Sequence, residues 1–385
     1  MSGQPGADTA DILIVDDTLA NLRLLSELLM GNGYHVRTVT SGVRALESAR
    51  AVPPNLILLD IRMPEMDGCE VCEQLKADER TRHVPVIFIS ALDEIEEKVR
   101  AFKVGGVDYI TKPFQVEEVL VRVETHLTLR RLQQRLEVAN QRFERELLLA
   151  GDVQASLLPS ELPQLPGWEF AAFIQPARET SGDFYDVFQL PGGRLGLLVA
   201  DVVDKGAAAA LLMAISWNVI DTCASEHPNS PQDVFAAANQ RMLQRLEGRM
   251  FLTAFYGILD PEQGRLVYCN AGHSPPYRIS ASGGETTRLL RTGPPLGLLD
   301  EADWQTQTLQ IQPGDALLLY TDGVTDAERS DGAFYGSQRL EASLQAQASN
   351  TATQIRDALL ADIQSFAAGA PQYDDIVLMV VKRLG

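Results

Sequence analysis

The 385-residue sequence predicts an α/β domain with a doubly wound parallel sheet, a helical linker, and a C-terminal α+β domain. Three observations indicate this order. Apolar runs alternate with amphipathic stretches over residues 10–125. A polar segment then continues without proline as far as Pro159. A proline-rich stretch follows, after which strand-like runs return, interrupted by helical stretches. The predicted domains are therefore 10–125, 126–158 and 159–385.

Composition excludes several classes of protein. A formal net charge of −19 opposes sequence-independent binding to nucleic acid, and no basic recognition helix is present. Four cysteines do not form a disulfide scaffold, so we expect buried thiols. No run of 18 apolar residues occurs, and the first twelve residues lack a basic and an apolar region. We therefore expect a cytoplasmic protein with no membrane segment.

The first domain ends its predicted strands in chemically useful residues. The run DILIVDD ends in Asp16 and Asp17, NLILLD ends in Asp60, VPVIFIS ends in Ser90, and VDYITKPF contains Lys112. The carboxyl ends of parallel strands form the usual ligand site of such sheets. Adjacent acids suit Mg²⁺, and a carboxylate beside a metal and a lysine can accept a phosphoryl group.

These residues, with LLDIRMPEMDG and DYITKPF, resemble the response-regulator receiver family over residues 10–125. The resemblance implies a five-stranded flavodoxin-like fold, a histidine kinase as phosphodonor, and Asp60 as phosphoacceptor. It implies that Lys112 contacts phosphate, that Pro113 follows a cis peptide, and that Ser90 and Tyr109 form the switch pair. The Mg²⁺ ligands that it implies are Asp16, Asp17, Asp60 and the Arg62 carbonyl.

The linker has the apolar spacing of a short coiled coil. The apolar residues recur at alternating intervals of three and four: Leu129, Leu132, Leu136, Ala139 and Phe143. Long charged side chains fill the positions between them. We expect a homodimer through a parallel coiled coil. The alternative is a helix that packs against its own domains.

The C-terminal domain also places acids at the ends of apolar runs. Asp183 stands in SGDFYD, Asp201 ends LLVAD, Asp322 follows LLLYT, and Asp374 precedes DIVLM. Four carboxylates from four separate segments could hold two divalent ions. Such a pair of ions can activate water for phosphate hydrolysis and stabilise the leaving oxygen.

The motifs ASLLP, SGDFYD, ADVVDKGAAAALLMA, NAGHSPP, TGPPLGL, LYTDGVTDA and DDIVLMVV resemble the SpoIIE branch of the PPM-type serine/threonine phosphatases over about residues 150–385. That resemblance implies a β-sandwich flanked by helices, with two Mn²⁺ or Mg²⁺ ions. The implied catalytic ligands are Asp183, Asp201, Asp322 and Asp374. The Val202 carbonyl is expected to assist, and Asp375 is expected as a further ligand.

The sequence departs from the pattern of that family at two positions. Asp204 stands where a small residue is usual, and Val377 stands where threonine is common. Gly323 is expected to allow a tight turn after Asp322. Arg178 is expected as a surface residue, with a substrate phosphate contact as the alternative, and His273 is expected near the site without an assigned role.

The two resemblances together imply a two-component response regulator with a phosphatase output. A kinase phosphorylates Asp60, and the linker helix transmits the change to the metal-binding elements. The implied substrate is a phosphoserine or phosphothreonine protein, usually a STAS-type anti-sigma-factor antagonist in that family. The alternative is a non-catalytic adaptor whose phosphatase-like domain binds a partner such as a sigma factor or anti-sigma factor. The sequence does not give the sign of the control.

Overall fold

A computed structural model describes residues 9–91, 95–246, 251–281 and 285–385. Residues 1–8, part of the N-terminal segment considered for a leader peptide, lie outside the described residues. The chain divides into two compact units, Met1–Gln141 and Arg142–Gly385. Each unit has its own hydrophobic core.

The first unit alternates strands and helices in the predicted order. Its elements are β1 Asp11–Val15, α1 Leu19–Gly31, β2 His35–Val39, α2 Gly42–Ala51, β3 Leu56–Asp60, α3 Gly68–Ala77, β4 Val86–Ala91, α4 Ile95–Lys103, β5 Asp108–Lys112 and the start of α5 Val116–Ala155. The strands form one parallel sheet in the order β2-β1-β3-β4-β5. This order confirms the doubly wound five-stranded fold.

Both faces of this sheet are covered, which explains why its strands are apolar throughout. Leu13 and Ile57 point to one face, where they pack with residues of α2 and α3. Ile12 and Leu58 point to the other, where they pack with residues of α1 and α5. The polar groups of the unit therefore collect where the strands end.

Helix α5 is a single element of 40 residues, about 60 Å long at 1.5 Å per residue. Val119, Val123 and Leu127 are buried in the core of the first unit. The predicted boundary between residues 125 and 126 therefore falls inside a continuous helix. The predicted coiled-coil residues are exposed in the single chain, as shown by Leu132 at 55% and Leu136 at 71%. Dimerisation through them stays a prediction.

The second unit follows the end of α5 and contains two antiparallel sheets. Its elements are β6 Trp168–Gln175, β7 Phe184–Leu190, β8 Arg194–Val202, α6 Ala207–Glu226, α7 Pro231–Leu246, β9 Leu252–Asp260, β10 Arg265–Ala271, β11 Tyr277–Ile279, β12 Thr286–Arg288, β13 Gln307–Gln310, β14 Ala316–Tyr320, a 3-10 helix Asp322–Val324, α8 Gly336–Ala346, α9 Ala352–Ala367 and β15 Ile376–Arg383. The sheet orders are β13-β10-β9-β8-β7 and β12-β11-β14-β15-β6.

Three apolar layers hold this unit together. Helices α6 and α7 pack on the outer face of the first sheet, and α8 and α9 pack on the outer face of the second. A third cluster fills the space between the sheets and includes Leu197, Phe255, Leu319 and Met379. This arrangement confirms the β-sandwich flanked by helices.

Helix α6 is long and apolar enough, by length and composition alone, to cross a membrane. It buries residues such as Leu212, Met213 and Ile220 against the first sheet. Its apolar character is therefore accounted for by the core of the unit.

The strand pairing brings the four predicted phosphatase acids to one end of the sandwich. Phe184 pairs with Ala200, so Asp183 lies beside Asp201. Tyr320 pairs with Leu378, so the turn carrying Asp322 lies beside the segment that precedes β15. Gly182 N, just before β7, donates to Asp375 Oδ2, just before β15, at 2.8 Å, so these ends of the two sheets lie side by side.

Candidate functional site

The acids of the first unit form a compact cluster at the carboxyl ends of β1 and β3. Ligand oxygens of Asp16, Asp17 and Asp60 all lie within 4.8 Å of one another. Asp16 is fully buried, Asp60 is nearly so, and Asp17 is exposed. Asn21 donates to both Asp16 oxygens at 3.0 and 2.9 Å and fixes this carboxylate. This geometry suits a hard divalent cation.

Lys112 links the two buried acids of this cluster. Its Nζ lies 2.9 Å from Asp16 Oδ2 and 2.9 Å from Asp60 Oδ2. Burial opposes the charge of Lys112, but these hydrogen bonds outweigh it and raise the pKa of the ammonium group. Burial raises the pKa of Asp60, with the negative charges of Asp16 and Asp17 acting in the same direction.

The remaining predicted receiver residues lie on β4 and β5. Ser90 is buried and pairs with Thr111 in the sheet. The Tyr109 ring packs edge-on against Phe102 at 6.1 Å, and Lys98 Nζ lies 4.5 Å from its centroid. The peptide between Lys112 and Pro113 is cis, as predicted. The roles of Ser90 and Tyr109 as the switch pair, and of the Arg62 carbonyl as a ligand, stay predictions.

In the second unit, buried Asp183 and partly buried Asp201 form the inner part of the acidic site. Asp183 is 2% exposed, and its Oδ2 has no hydrogen-bond partner among the described residues. Burial, followed by the negative charge of Asp201, raises the pKa of Asp183 well above its usual range. Burial also raises the pKa of Asp201. Two adjacent carboxyls, one of them buried, favour a shared proton or a cation.

Asp322 and Asp374 complete the acidic site from the second sheet. Burial, with the charges of Asp201 and Asp374, raises the pKa of Asp322 to about 6. Asp374 forms an ion pair with Lys205, whose Nζ lies 3.0 Å from Asp374 Oδ2. Lys205 Nζ also donates to the Tyr373 carbonyl at 2.6 Å. The ammonium of Lys205 therefore supplies a positive charge at one edge of the site.

These observations fit a divalent metal centre. Asp183 Oδ2 is a buried acceptor without a hydrogen-bond partner among the described residues, and burial together with neighbouring carboxylates raises the pKa of Asp183 and Asp322. Oxygen ligands of this kind match Mg²⁺ or Mn²⁺. Across the described ranges, only the cluster of the first unit brings three acids within 4.8 Å. In the second unit Asp374 is held by Lys205 instead.

Asp375 organises the loop that precedes Asp183. Its Oδ1 accepts from Ala177 N at 2.7 Å, and its Oδ2 accepts from Ser181 Oγ and Gly182 N, both at 2.8 Å. These bonds use the carboxylate to shape the loop. A role of Asp375 as a further metal ligand stays a prediction.

Gly182 brings the same loop against β8, where a Cβ would lie 3.2 Å from the Val202 carbonyl. The predicted ligand carbonyl of Val202 is therefore adjacent to the Asp183 loop. Its participation in metal binding also stays a prediction.

The end of α5 holds the Asp183 loop directly. Gln154 is 7% exposed, its Oε1 accepts from Ser181 N at 2.9 Å, and its Nε2 donates to the Ser181 carbonyl. The side-chain amide of Gln154 thus forms two hydrogen bonds with the Ser181 backbone, as a neighbouring β-strand would. Gly151 permits this approach, since a Cβ there would lie 2.1 Å from the Glu179 carbonyl. Sequence reasoning missed Gln154, although it directly precedes the ASLLP motif.

The two departures from the family pattern have different structural consequences. Asp204 has a φ of 108°, a conformation that favours glycine and strains other residues. Val377 is fully buried between the sheets, and its backbone bonds to Thr321. Val377 therefore removes no side chain from the acidic site, whereas Asp204 strains the loop that carries Lys205.

Three further predicted residues lie as follows. Gly323 allows the turn after Asp322 to approach the segment before β15, because a Cβ at residue 323 would lie 2.0 Å from the Asp375 carbonyl. Arg178 is exposed, which agrees with its interpretation as a surface residue. His273 is 1% exposed, its Nδ1 lies 2.8 Å from Thr253 Oγ1, and burial lowers its pKa to about 3. His273 is thus a neutral core residue next to the strand position opposite Asp201.

Comparison with known proteins identifies both units. The model of the family "Stage II sporulation protein E (SpoIIE)" matches residues 191–384, which include Asp201, Asp322 and Asp374. The chain belongs to the SpoIIE family. The model "Response regulator receiver domain" matches residues 12–124, which include all the receiver residues named above. The chain thus carries a receiver domain in front of a SpoIIE phosphatase domain.

Curated relatives and a solved structure agree with this assignment. Protein IcfG of Synechocystis sp. is 33% identical over 264 residues, which cover 62% of this chain and 41% of IcfG. Phosphoserine phosphatase RsbU of Bacillus subtilis is 28% identical over 263 residues, which cover 68% of this chain and 74% of RsbU. The SiaA-PP2C domain of Pseudomonas aeruginosa superposes with a TM-score of 0.58 at 22% identity, covering 64% of this chain and 99% of that domain, and supports the fold.

Proposed function

We propose that this SpoIIE-family chain is a metal-dependent phosphoserine and phosphothreonine protein phosphatase controlled by phosphorylation of Asp60. The observation that carries the proposal is that strand pairing brings buried Asp183 and the partly buried Asp201 and Asp322 to one end of the sandwich, where burial and neighbouring acids raise the pKa of each. Burying acids without compensation is unfavourable, so their joint presence supports a site built for cations.

Each acid has a separable part in the proposed mechanism. Asp183 and Asp201 hold the buried side of the metal site, and Asp322 and Asp374 hold its outer side. Two Mn²⁺ or Mg²⁺ ions, when bound, lower the pKa of water and neutralise charge on the phosphate oxygens. Asp375 and Ser181 keep the loop of Asp183 in place. Lys205, which contacts Asp374 and the Tyr373 carbonyl at the edge of this site, could instead contact a substrate phosphate if Asp374 held a metal.

In this proposal, α5 transmits the effect of Asp60 phosphorylation from the receiver domain to the phosphatase domain. Phosphorylation of Asp60 by a histidine kinase, with Asp16 and Asp17 as the residues that would hold Mg²⁺, changes the conformation of the receiver domain. Gln154 lies on the same continuous helix and pairs with Ser181, two residues before Asp183. A displacement of the helix end therefore alters the loop that holds a metal ligand. Homodimerisation through the linker and a cytoplasmic location belong to the same proposal.

The proposed substrate is a phosphorylated protein, of which a STAS-type anti-sigma-factor antagonist is the expected case. Support comes from the similarity to RsbU, whose name describes a phosphoserine phosphatase. The adaptor alternative is less well supported, because this chain retains all four metal-binding aspartates that a binding module does not need.

A test of catalysis uses the purified full-length protein with Mn²⁺ and a phosphoserine peptide. The parent protein is expected to release phosphate, and Asp201→Asn is expected to abolish release while retaining the thermal unfolding transition. Asp300→Asn, at an exposed aspartate, is the matched control. No release with Mn²⁺ or Mg²⁺, with or without acetyl phosphate, contradicts the proposal.

A second test addresses the receiver. Acetyl phosphate is expected to change the rate of phosphate release by the parent and not by Asp60→Asn. The direction of the change gives the sign of the control. An equal response in both proteins contradicts control through Asp60.

A further inference from the structure

A pocket opens beside the metal-binding aspartate Asp374. Its volume is about 230 Å³, and it lies between the C-terminal half of α9, residues 369–376, and the turn after the 3-10 helix. Ile363 and Ile376 are buried and form its apolar floor. Gly323 and Asp374 belong to both the pocket wall and the acidic site. The pocket is therefore continuous with the proposed catalytic centre.

The size of the pocket indicates the kind of ligand that fits it. Small-molecule sites usually enclose roughly 300–1,000 Å³. This pocket is smaller and open on one side, so it suits a single large side chain of a larger partner. Ala327, Ala367 and Ala370 leave the space that such a side chain would fill.

The rim of the pocket is negatively charged. Asp326 and Glu328 line it, and among the described residues neither forms an ion pair. Asp326 N donates to the Asp322 carbonyl at 2.8 Å, so Asp326 lies next to the acidic site. The rim therefore complements a lysine or arginine next to the apolar side chain.

An exposed aromatic residue stands at the same place. The Tyr373 side chain is 62% exposed, although its neighbours Asp374 and Asp375 are held by hydrogen bonds and an ion pair. Exposed tyrosines on rigid segments are frequent contact residues in protein–protein interfaces. Tyr373 thus adds an exposed aromatic contact surface at the pocket.

We propose that this pocket selects the substrate of the phosphatase. It receives an aliphatic side chain close in sequence to the phosphoserine, and Asp326 and Glu328 bind a lysine or arginine beside it. The proposal rests on the proposed function, because the phosphoserine must reach the acidic site. It adds a preference for apolar and basic residues around the phosphorylated position.

The test compares two phosphoserine peptides with the full-length protein and Mn²⁺. One peptide carries leucine and arginine on both sides of the phosphoserine, and the other carries glycine and glutamate. Apolar pockets discriminate by roughly 10-fold or more for a fitting side chain. The parent is therefore expected to prefer the leucine–arginine peptide by about tenfold or more in kcat/KM.

Two variants locate the preference. Ala370→Trp fills the pocket and is expected to remove most of the preference, measured relative to p-nitrophenyl phosphate in the same variant. Glu328→Gln is expected to weaken selection for arginine. Ala361→Trp, on the exposed side of α9, is the matched control and is expected to keep the parental preference. Equal kcat/KM for both peptides in the parent, or an unchanged preference in Ala370→Trp, overturns the pocket proposal.

The outcomes separate this proposal from the proposed function. If p-nitrophenyl phosphate and both peptides remain intact, the phosphatase proposal fails. Peptide binding, measured by fluorescence anisotropy with the labelled peptides, then tests the pocket proposal independently of catalysis. Tighter binding of the leucine–arginine peptide that is lost in Ala370→Trp supports it, and equal binding of both peptides overturns it.

Discussion

Replacement of Gly151 by alanine tests whether α5 positions the metal site. Gly→Ala inside a helix usually stabilises a protein by roughly 0.5–1 kcal/mol. Here the new Cβ would lie 2.1 Å from the Glu179 carbonyl oxygen, whereas ordinary contact begins at 3.4 Å. The helix and loop must therefore separate by about 1.3 Å, the difference between these distances. The Cβ position is fixed by the helix backbone and the Glu179 carbonyl is itself backbone, so no side-chain rotation relieves the clash.

That separation breaks the pairing of Gln154 with Ser181. The bond from Ser181 N to Gln154 Oε1 is 2.9 Å long, and an added 1.3 Å takes it beyond hydrogen-bond range. A buried group left without its partner loses roughly 1–3 kcal/mol. We expect Gly151→Ala to lower the free energy of unfolding by about this amount. For a unit of this size, the Tm is expected to fall by about 2–12 °C.

The assay is thermal unfolding of the full-length protein, together with the Mn²⁺ dependence of phosphate release. The half-saturating Mn²⁺ concentration is expected to rise, because Asp183 follows the displaced loop. The matched control is Gly31→Ala at the end of α1, where an added Cβ meets nothing within 4 Å. A Gly151→Ala protein as stable as the parent, with an unchanged Mn²⁺ requirement, would refute the argument.

Three further predictions concern backbone strain, pH and assembly. Asp204→Gly is expected to raise the free energy of unfolding by about 1 kcal/mol, because glycine adopts the φ of 108° without strain, and a lower denaturation midpoint in urea would contradict this. In chelator, the raised pKa of Asp322, about 6, means that the folded state binds its proton more tightly than the unfolded state does. This stabilisation is fully present below pH 3.8 and is lost as the pH rises through 6. The Tm of the parent is therefore expected to fall between these pH values, and the Tm of Asp322→Asn is expected to fall by less. Leu132→Glu combined with Leu136→Glu is expected to give a monomer mass by light scattering where the parent gives a dimer, and a monomeric parent would exclude the coiled coil.

Much of the fold could be predicted because its signals are local. Fully apolar runs that end in acids indicate parallel strands covered on both faces, and β1 and β3 have this form. The positions of Asp16, Asp60, Asp201 and Asp322 follow from the same reasoning, since each stands where a strand ends. The predicted boundary between residues 125 and 126 stays a prediction, because one continuous helix runs through both residues.

Contacts between distant segments were beyond sequence reasoning. Gln154 bonds to Ser181, and Lys205 pairs with Asp374, through backbone geometry that spacing does not reveal. The resemblance to the SpoIIE branch implied that a small residue is usual at the position of Asp204. Only the backbone conformation shows why, since φ there is positive.

Lys205 makes metal binding a competition within the protein. A cation that binds Asp374 must displace an ammonium already held at 3.0 Å, so the apparent metal affinity is reduced by the fraction of molecules in which that ion pair is closed. The loop of Lys205 also contains the strained residue Asp204. Any event that shifts this loop therefore retunes the metal requirement without altering a single carboxylate. At Mn²⁺ concentrations near the half-saturating value, the metal supply itself would become a second input to the proposed phosphatase.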